Sequence, residues 1–445
     1  MSNSTEASPR SPRELNRVIL RNLMPLLVAA YAMCFLDRTN IGIAKDRLQI
    51  DLGLSATAYG IGAGLFFITY ALSEIPSNLI LHRVGARFWI TRIMITWGLI
   101  SASMAFVWDE WSFYIMRMLL GIAEAGLYPG VMYYLTRWFR REDRAKANGL
   151  FLLGVSLATV LGPPLSGALL GLNGLGLRGW QWMFLIEGLP TCLLALVVWR
   201  MLPDRPSEAK FLTPAEAADL EARIRADDDA GAAASGTHRM RDVWKDRQIV
   251  LVTAIYLTHQ IAVYAMSYFL PSIIGTYGHL SGFQIGLLTA LPWLCATVGA
   301  LLVPRFATNG AVARRLINTT MIGLCVGFAI GAGSGPVLGL IGFCLGAFCF
   351  FALQPILYTF PASRLSGGTL AGGLAFVNTF GLFGGFLGPY VMGAMEDATG
   401  NKLSGLWLVV GVCVIGAGLT FLLRYGEIGQ RLPTPVQRPA PGRTD

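Results

Sequence analysis

An acid and a base, Asp37 and Arg38, lie side by side inside a long apolar stretch of this chain. The stretch covers residues 19–46 and is long enough for a helix to cross a bilayer at ~1.5 Å per residue. A charge near the bilayer centre costs about 2.5 kcal/mol or more, so intramembrane ionisable residues usually serve a function. A guanidinium can hold a carboxylate through two hydrogen bonds, and a carboxylate can carry a proton. Alternatively, both residues lie at the wet outer end of the helix.

A second pair of opposite charges, Arg117 and Glu124, is separated by seven residues in another apolar segment. Seven residues are about two helical turns, so both side chains are predicted on one face of a helix. Small residues surround Glu124 at positions 121–126, which lets another helix approach the backbone closely. Glu124 is therefore predicted to be a buried carboxylate that either titrates or forms a structural hydrogen bond. Arg117 is either its charge partner or a residue that extends to the membrane surface.

Polar side chains elsewhere in the apolar segments add weaker candidates. Glu187 lies just inside the outer end of its segment and is predicted to be structural. His259 has Gln260 and Tyr264 nearby in the same segment, which makes the three possible substrate or proton ligands. A lone histidine is more often a satisfied packing residue, and that alternative is favoured for His259.

Four polar residues in the last third of the chain could hydrogen-bond a hydroxylated anion: Gln354, Tyr358, Thr359 and Asn378. Gln354 could instead bond the backbone group that the adjacent Pro355 frees. The many glycines, 52 in total, suit helices that slide and bend. They form no P-loop pattern, so ATP is not expected to be the energy source.

The composition restricts the class of protein. Hydrophobic residues make up 54% of the 445 residues and charged residues only 14%, against about 25% charged in soluble domains. Apolar runs of 18 or more residues recur, which predicts an all-α membrane protein, whereas the short alternating segments of a barrel are missing. The seven cysteines lie in apolar segments without CxxC spacing. We therefore expect no metal site, no disulfide and no cofactor.

Twelve transmembrane helices are predicted, separated by polar loops. Their approximate ranges are 19–46, 55–81, 87–107, 112–136, 145–171, 179–201, 247–276, 282–304, 314–332, 335–362, 368–395 and 403–424. The only long polar break divides them into six and six. The predicted domains are residues 1–201, a cytoplasmic linker at 202–246, and residues 247–445.

The distribution of Lys and Arg predicts the orientation. With the N-terminus inside, cytoplasmic tails and loops hold 28 of the 35 basic residues, while the outer loops hold 4, among them Lys45 and Lys402. Cytoplasmic loops of membrane proteins carry such an excess of Lys and Arg, so both termini are predicted to be cytoplasmic. The same distribution accounts for the net charge of +9 without a nucleic-acid partner.

Two local patterns concern the linker and the relation between the halves. Residues 213–216, Thr-Pro-Ala-Glu, predict a helix start and a short amphipathic helix to about Arg225, with 227–236 flexible. Leu161-Gly162-Pro163 and Gly167 recur as Leu387-Gly388-Pro389 and Gly393, an offset of 226 residues. A repeat at equivalent spans of the two halves supports a duplicated fold.

Several longer stretches together resemble the major facilitator superfamily, and within it the anion:cation symporter family of phthalate, tartrate, galactonate and glucarate permeases. The stretches are Leu36-Asp37-Arg38-Thr39-Asn40-Ile41-Gly42, Glu74-Ile75-Pro76-Ser77-Asn78, His82-Arg83-Val84-Gly85-Ala86-Arg87, the run 121–130, the run 184–190, and Gly372-Gly373 through Asn378 to Gly388-Pro389. The resemblance covers nearly the whole chain. It implies two six-helix bundles, a transporter and no enzymatic activity.

The resemblance also implies roles for particular residues. Arg38 would anchor substrate, the position of Tyr70 would face substrate, and Glu124 would titrate. Glu74, one helical turn after Tyr70, would be a gate or cap residue nearer the cytoplasm. Family members often carry an aromatic hydroxyl two residues before the acid of the first span, but here that residue is Phe35.

Charge balance suggests how transport could be coupled. Arg38 and Arg117 balance Asp37 and Glu124, so a bound monoanion alone would leave one uncompensated negative charge in a low-dielectric cavity. A proton on Glu124 or Asp37 restores neutrality, so anion and proton binding favour each other.

We therefore predict a monomeric transporter of the bacterial inner membrane that imports a small organic carboxylate with protons. A tartrate-like or sugar acid is the first choice, and an aromatic acid such as phthalate or hydroxyphenylacetate is the second. A drug exporter with the same fold is the remaining alternative.

Overall fold

The chain folds as an all-α membrane protein. The computed structural model describes residues 10–233, 245–365 and 367–425, and within these ranges it contains helices and no strand. Eleven helices of the described chain are long and apolar enough to cross a membrane, and a twelfth, Ser404–Thr420, is apolar but shorter. The predicted fold class is confirmed.

The helices are labelled in chain order. The first eight are α1 (Pro12–Leu52), α2 (Ala56–Val84), α3 (Ala86–Ser103), α4 (Glu110–Glu124), α5 (Leu127–Thr136), α6 (Arg141–Leu169), α7 (Gly179–Met201) and α8 (Pro214–Ala233). The others are α9 (Arg247–Ile274), α10 (Gly282–Leu302), α11 (Gly310–Gly333), α12 (Pro336–Leu357), α13 (Thr359–Ala362), α14 (Gly367–Thr399) and α15 (Ser404–Thr420).

Apolar side chains cover the outward faces of these helices. On α2, for example, Leu72, Ile75 and Leu79 are 71%, 69% and 62% exposed. A lipid environment solvates such side chains, whereas a continuous apolar surface of this kind would be unfavourable in water. Within the continuous parts of the spanning helices the backbone groups bond one another, as the absence of water in a bilayer core requires.

The fourth and tenth spans are discontinuous, although each was predicted as one helix. The fourth consists of α4 and α5, which are separated by Ala125 and Gly126, and Gly126 has a left-handed φ of 95°. The tenth consists of α12 and α13, separated by Tyr358. That second interruption is slighter, because Tyr358 keeps helical dihedral angles. Broken helices at corresponding spans of two halves are typical of transporter folds.

The internal repeat is confirmed by equivalent helix contacts. A Cβ added to Gly167 would lie 2.1 Å from the carbonyl oxygen of Gly282, and one added to Gly393 would lie 2.1 Å from that of Ala56. The 226-residue offset relates Gly167 to Gly393 and Ala56 to Gly282, so the two contacts are equivalent in the repeat. Each half therefore packs its fifth span on the second span of the other repeat, at a distance that only a residue without a side chain allows.

The described residues divide into two compact units. Unit 1 comprises the described parts of Met1–Ala234, Val263–Leu294 and Gly385–Leu406. Unit 2 comprises those of Ser235–Ala262, Cys295–Gly384 and Trp407–Asp445. The division at residues 202–246, inferred from the sequence, stays a prediction.

The linker helix α8 begins as predicted and is longer than predicted. Thr213 N donates to Glu216 Oε2 at 2.9 Å, and Glu216 N donates to Thr213 Oγ1 at 3.3 Å. The helix continues to Ala233, so the expectation of a flexible segment from 227 was wrong as far as 233, and residues 234–236 lie outside the described ranges. Arg140 bonds Asp227 at 3.3 Å, and this bond lowers the pKa of the Asp227 carboxyl.

Candidate functional site

A buried ion pair joins Arg38 on α1 to Glu124, the last residue of α4. The Nε and Nη2 atoms of Arg38 both donate to Oε1 of Glu124. The thiol of Cys34 donates to the same oxygen at 2.9 Å. Glu124 is 0% exposed, and its Oε2 is buried without a hydrogen-bond partner among the described residues. One carboxylate oxygen thus carries all the described bonds, and Glu124 is incompletely satisfied as an anion.

Aromatic rings enclose the guanidinium of Arg38. Its Cζ lies 5.0 Å from the ring centroid of Phe35, 5.3 Å from that of Phe66 and 5.0 Å from that of Tyr70. Ring faces attract a cation, and they also exclude water from it. The site therefore holds a cation in apolar surroundings, where its attraction for an anion is stronger than at a wet surface. Tyr70 on α2 lies beside the charged pair, and its role toward substrate stays a prediction.

The break in the fourth span fixes the position of Glu124. The hydroxyl of Ser77 on α2 donates to the carbonyl oxygen of Ala125 at 2.7 Å, and Trp89 Nε1 donates to the Ser77 hydroxyl at 2.9 Å. These bonds satisfy a backbone group that the interrupted helix leaves free. Sequence reasoning missed this arrangement and interpreted the small residues at 121–126 only as a packing surface. The available signal was Gly126, two residues after the buried carboxylate of Glu124.

Replacing Gly126 by alanine is expected to destabilise unit 1. The residue has φ 95° and ψ −4°, and an added Cβ would lie 2.1 Å from the Ser77 hydroxyl oxygen. The left-handed backbone alone costs about 1–3 kcal/mol for a residue with a side chain. Gly149→Ala is a matched control, because nothing lies within 4 Å of its added Cβ. Thermal unfolding in detergent should show a lower midpoint for Gly126→Ala only; equal midpoints would contradict this account of the break.

Asp37 points away from its sequence neighbour Arg38. Its carboxylate accepts from Trp97 Nε1 and from the Ser101 hydroxyl on α3, the latter at 2.6 Å. It is 2% exposed, so it lies inside the protein and not at the wet end of α1. The acid and base that adjoin in the sequence therefore belong to different clusters, since successive residues of a helix project about 100° apart.

Glu187 forms a second buried cluster with α1 and α6. Asn40 Nδ2 donates to Glu187 Oε2 at 2.8 Å, and the Ser166 hydroxyl donates to Oε1 at 2.6 Å. Asn40 Nδ2 also lies 3.4 Å from Asp37 Oδ1, so one amide group joins two carboxylates. The sequence indicated a structural role for Glu187 and did not indicate its connection to Asp37.

Arg117 does not form the predicted pair with Glu124. Its described hydrogen bonds go to carbonyl oxygens of α2, from Nη2 to Ala63 at 3.1 Å and from Nε to Gly62 at 3.4 Å. It is 1% exposed, so the alternative of a side chain that extends to the membrane surface is also wrong. Arg117 and Glu124 share one helix, but the cation beside Glu124 is Arg38.

A charged network at the far end of α1 was missed by the sequence analysis. Lys45, assigned there to an outer loop, is 0% exposed and bonds Glu396 at 2.9 Å. Asp46 bonds Lys402 at 2.9 Å and accepts from the Ser272 hydroxyl at 2.5 Å. The cause of the error is the length of α1, which continues to Leu52 and carries Lys45 inside the helix.

The predicted residues of the seventh span fall into different units. Tyr264 belongs to unit 1, where its ring packs on that of Phe67 with 4.2 Å between centroids. His259 belongs to unit 2, with Nε2 2.8 Å from the Phe350 carbonyl oxygen and Nδ1 3.0 Å from Gln260 Oε1. Both ring nitrogens have partners and the ring is 0% exposed, which favours the packing alternative.

The other predicted anion ligands also lie in unit 2. Gln354 Nε2 donates to the hydroxyl of Tyr256 at 3.1 Å, and the Tyr358 ring meets the Tyr256 ring at 5.4 Å. Thr359 Oγ1 donates within its own helix turn, to the Ile356 carbonyl at 2.7 Å. Gln354 and Tyr358 thus form a polar cluster around Tyr256. Asn378 is half-buried on α14, and the roles of all four stay predictions.

Known proteins similar to this chain are transporters. The inner membrane transport protein RhmT of Escherichia coli (strain K12) is 39% identical over 93% of this chain and 96% of its own. A protein of Agrobacterium vitis named "Putative tartrate transporter" is 40% identical over 92% of this chain and 91% of its own. A quinolone resistance transporter of Acinetobacter baumannii is 37% identical over 92% of this chain and 95% of its own.

Solved structures with the same fold, and a family profile, agree with these relatives. A bacterial homologue of the human lysosomal transporter Spinster, in an inward-facing and occupied conformation, gives a TM-score of 0.74. That match has 17% sequence identity and covers 96% of this chain and all of the other, so it concerns the fold alone. The profile of the Major Facilitator Superfamily matches residues 27–389. The chain therefore belongs to the major facilitator superfamily of membrane transporters and is not an enzyme.

Proposed function

We propose that this transporter imports a small organic carboxylate together with protons. The observation that carries the proposal is the buried pair of Arg38 and Glu124. A guanidinium in an aromatic enclosure suits a carboxylate ligand, because its planar fork can form two parallel hydrogen bonds. Two of its nitrogens reach Glu124 in the described structure, and its remaining N–H groups leave donors for a second carboxylate.

Competition for Arg38 supplies the coupling between anion and proton. When a substrate carboxylate draws Arg38 away, Glu124 keeps only the Cys34 thiol among its described donors. A buried carboxylate without a cation is unfavourable, so Glu124 then takes up a proton. The anion and the proton therefore stabilise each other's binding, and by linkage the effect is equal in both directions. Because the anion and the proton are carried together, the proton gradient drives uptake of the anion.

The preferred substrate is a hydroxylated acid such as tartrate or a sugar acid. The name of the Agrobacterium vitis relative supports this choice, at 40% identity over nearly the whole chain. Tyr70 and Tyr264 can offer hydroxyl groups within unit 1.

An aromatic acid is the second candidate, and one observation favours it. The rings of Phe35, Phe66 and Tyr70 lie around the same guanidinium. An aromatic carboxylate could pack its ring against them while its carboxylate bonds Arg38. Drug export is a third candidate because of the quinolone resistance relative. A buried cation at the site argues against lipophilic cations as substrates.

A binding screen separates the three candidates. The purified protein is heated with a panel of tartrate, sugar acids, phthalate, hydroxyphenylacetate and lipophilic cations, and its unfolding temperature is measured. A ligand that binds the native state raises this temperature, and the stabilisation grows with the logarithm of one plus the ratio of free ligand concentration to Kd. Stabilisation by a carboxylic acid, followed by proton-driven uptake in vesicles, supports the proposal. Stabilisation by lipophilic cations alone refutes it and favours export.

The proposed location is the bacterial inner membrane with both termini and the linker in the cytoplasm. Single cysteines can test this orientation in a background without the seven native ones. Ser207→Cys in the linker should resist an impermeant thiol reagent in intact right-side-out cells, whereas Ser281→Cys before α10 should react. Both native side chains are exposed, so access depends only on the side of the membrane. The reverse labelling pattern would invert the topology.

A further inference from the structure

Two buried carboxylates, Asp37 and Glu187, share one amide group and have no cation. Asn40 Nδ2 lies 3.4 Å from Asp37 Oδ1 and 2.8 Å from Glu187 Oε2. The two acids are 2% and 1% exposed. Their other described partners are neutral N–H and O–H donors on α3 and α6. No Lys or Arg of the described ranges lies within ion-pair distance of either carboxylate.

The charges around the pair leave a negative excess. Arg38, which follows Asp37 in the sequence, is directed to Glu124. Cys34 on α1, Glu124 on α4 and Cys192 on α7 are the other titratable groups whose charge would reach Asp37, and none is a cation. The cations nearest in the described helices have other partners: Lys45 bonds Glu396, and Arg117 bonds carbonyl oxygens of α2. Asp37 and Glu187, if both ionised, would therefore carry two negative charges without a described cation.

The cluster also contains a buried acceptor without a described donor. Asn40 Oδ1 and Thr191 Oγ1 are buried and have no partner among the described residues. Thr191 follows Glu187 by one turn of α7. An ionised carboxylate offers acceptors only, whereas a protonated carboxyl supplies an O–H donor. A proton on either carboxyl would therefore reduce the excess negative charge and add a donor to a cluster in which one acceptor, Asn40 Oδ1, is unmatched.

We propose that Asp37 and Glu187 bind one proton between them, bridged by Asn40, at a site separate from the Arg38–Glu124 pair. Like charges on two neighbouring carboxylates disfavour the doubly ionised state, and burial adds to this effect. A proton fits better than a metal ion, because the described carboxylate oxygens already accept N–H and O–H donors. No group of three or more His, Cys, Asp or Glu in the described ranges could hold a metal.

This site deepens the proposed function, on which its role in transport rests. Asp37 and Asn40 share α1 with Arg38, so a movement of α1 when substrate binds Arg38 also changes the distances within the carboxylate pair. The structure thus assigns a second proton-binding site to the same helix that binds substrate. If this second site releases its proton during the cycle, it changes the number of protons carried with each substrate. If it does not, the proton stays bound throughout the cycle.

Infrared spectroscopy of the purified, substrate-free protein tests the proposal. A protonated carboxyl gives a C=O band that an ionised one lacks. Wild type should show such a band at neutral pH that disappears at alkaline pH. Glu187→Gln should lose it at neutral pH, because Asp37 then faces no like charge and keeps three donors. Ser101→Ala should retain the band to more alkaline pH, because Asp37 loses one donor.

The controls separate this proposal from the function of the transporter. Glu124→Gln should still show a band that depends on Asp37 and Glu187, and no substrate is needed for the measurement. Wild type without an Asp37- or Glu187-dependent band at any pH would overturn the proposal. So would a band that Glu187→Gln does not affect, which would place the proton on Asp37 alone. If the band disappears when sodium replaces choline in the buffer, the site binds a metal ion, and this result would equally refute the proposal.

Discussion

Arg38→Ala is expected to lower the affinity for the carboxylate substrate by a factor of about 30 to several thousand. Removing one partner of a buried, hydrogen-bonded charge pair costs about 2–5 kcal/mol, and 1.4 kcal/mol is tenfold in Kd. Arg38→Lys keeps the charge but loses the planar fork, and the loss of one charge-assisted hydrogen bond at about 1.5–3 kcal/mol predicts a roughly 10- to 100-fold weaker Kd. Calorimetric titration of the purified variants with the best ligand of the screen gives both values.

Arg92 provides a matched control for this experiment. It is also an arginine within a span, and its guanidinium lies over the ring of Trp89 at 4.1 Å on α3, with no described carboxylate partner. Arg92→Lys and Arg92→Ala should bind the ligand as wild type does. Near-wild-type affinity of both Arg38 variants would refute the assignment of Arg38 as the anchor. Equal loss in both Arg38 and Arg92 variants would indicate a general effect of charge in the membrane.

The fold was predictable because each spanning helix needs about 20 apolar residues and each loop needs polar ones. The breaks in the fourth and tenth spans were not predictable from apolar length alone. Gly126 adopts a left-handed conformation that hydropathy does not report, and its stability depends on Ser77 from another helix. The depth of Lys45 was missed for a similar reason, since Glu396, 351 residues later, compensates its charge.

The charged residues of the site were predictable, and their pairing was not. Residue type and apolar context single out Asp37, Arg38, Arg117 and Glu124. Which of these meet depends on the rotation and packing of α1, α3 and α4, which one sequence does not specify. The rotation directs Arg38 to Glu124 and Asp37 to Ser101. Glu187 was underestimated because its partner Asn40 lies 147 residues away in the chain.

Glu124→Gln is expected to abolish proton-driven accumulation while preserving exchange. Glutamine imitates the protonated carboxyl and cannot titrate, so the anion site stays permanently in its proton-bound charge state. Proteoliposomes with this variant should exchange labelled for unlabelled substrate at a rate comparable to wild type. They should show no concentrative uptake when an inward proton gradient is applied, because no proton moves with the anion.

Two further variants decide whether Glu124 itself is the coupling site. Glu110→Gln, at the exposed start of the same helix α4, should accumulate substrate normally. Asp37→Asn tests the rival acid in the same assay. If Glu124→Gln vesicles still concentrate substrate with the pH dependence of wild type, Glu124 is a structural carboxylate whose role is to orient Arg38. Loss of accumulation in Asp37→Asn alone would then transfer the coupling proton to Asp37 and its partner Glu187, since Asn40 joins those two carboxylates and neither has a cation.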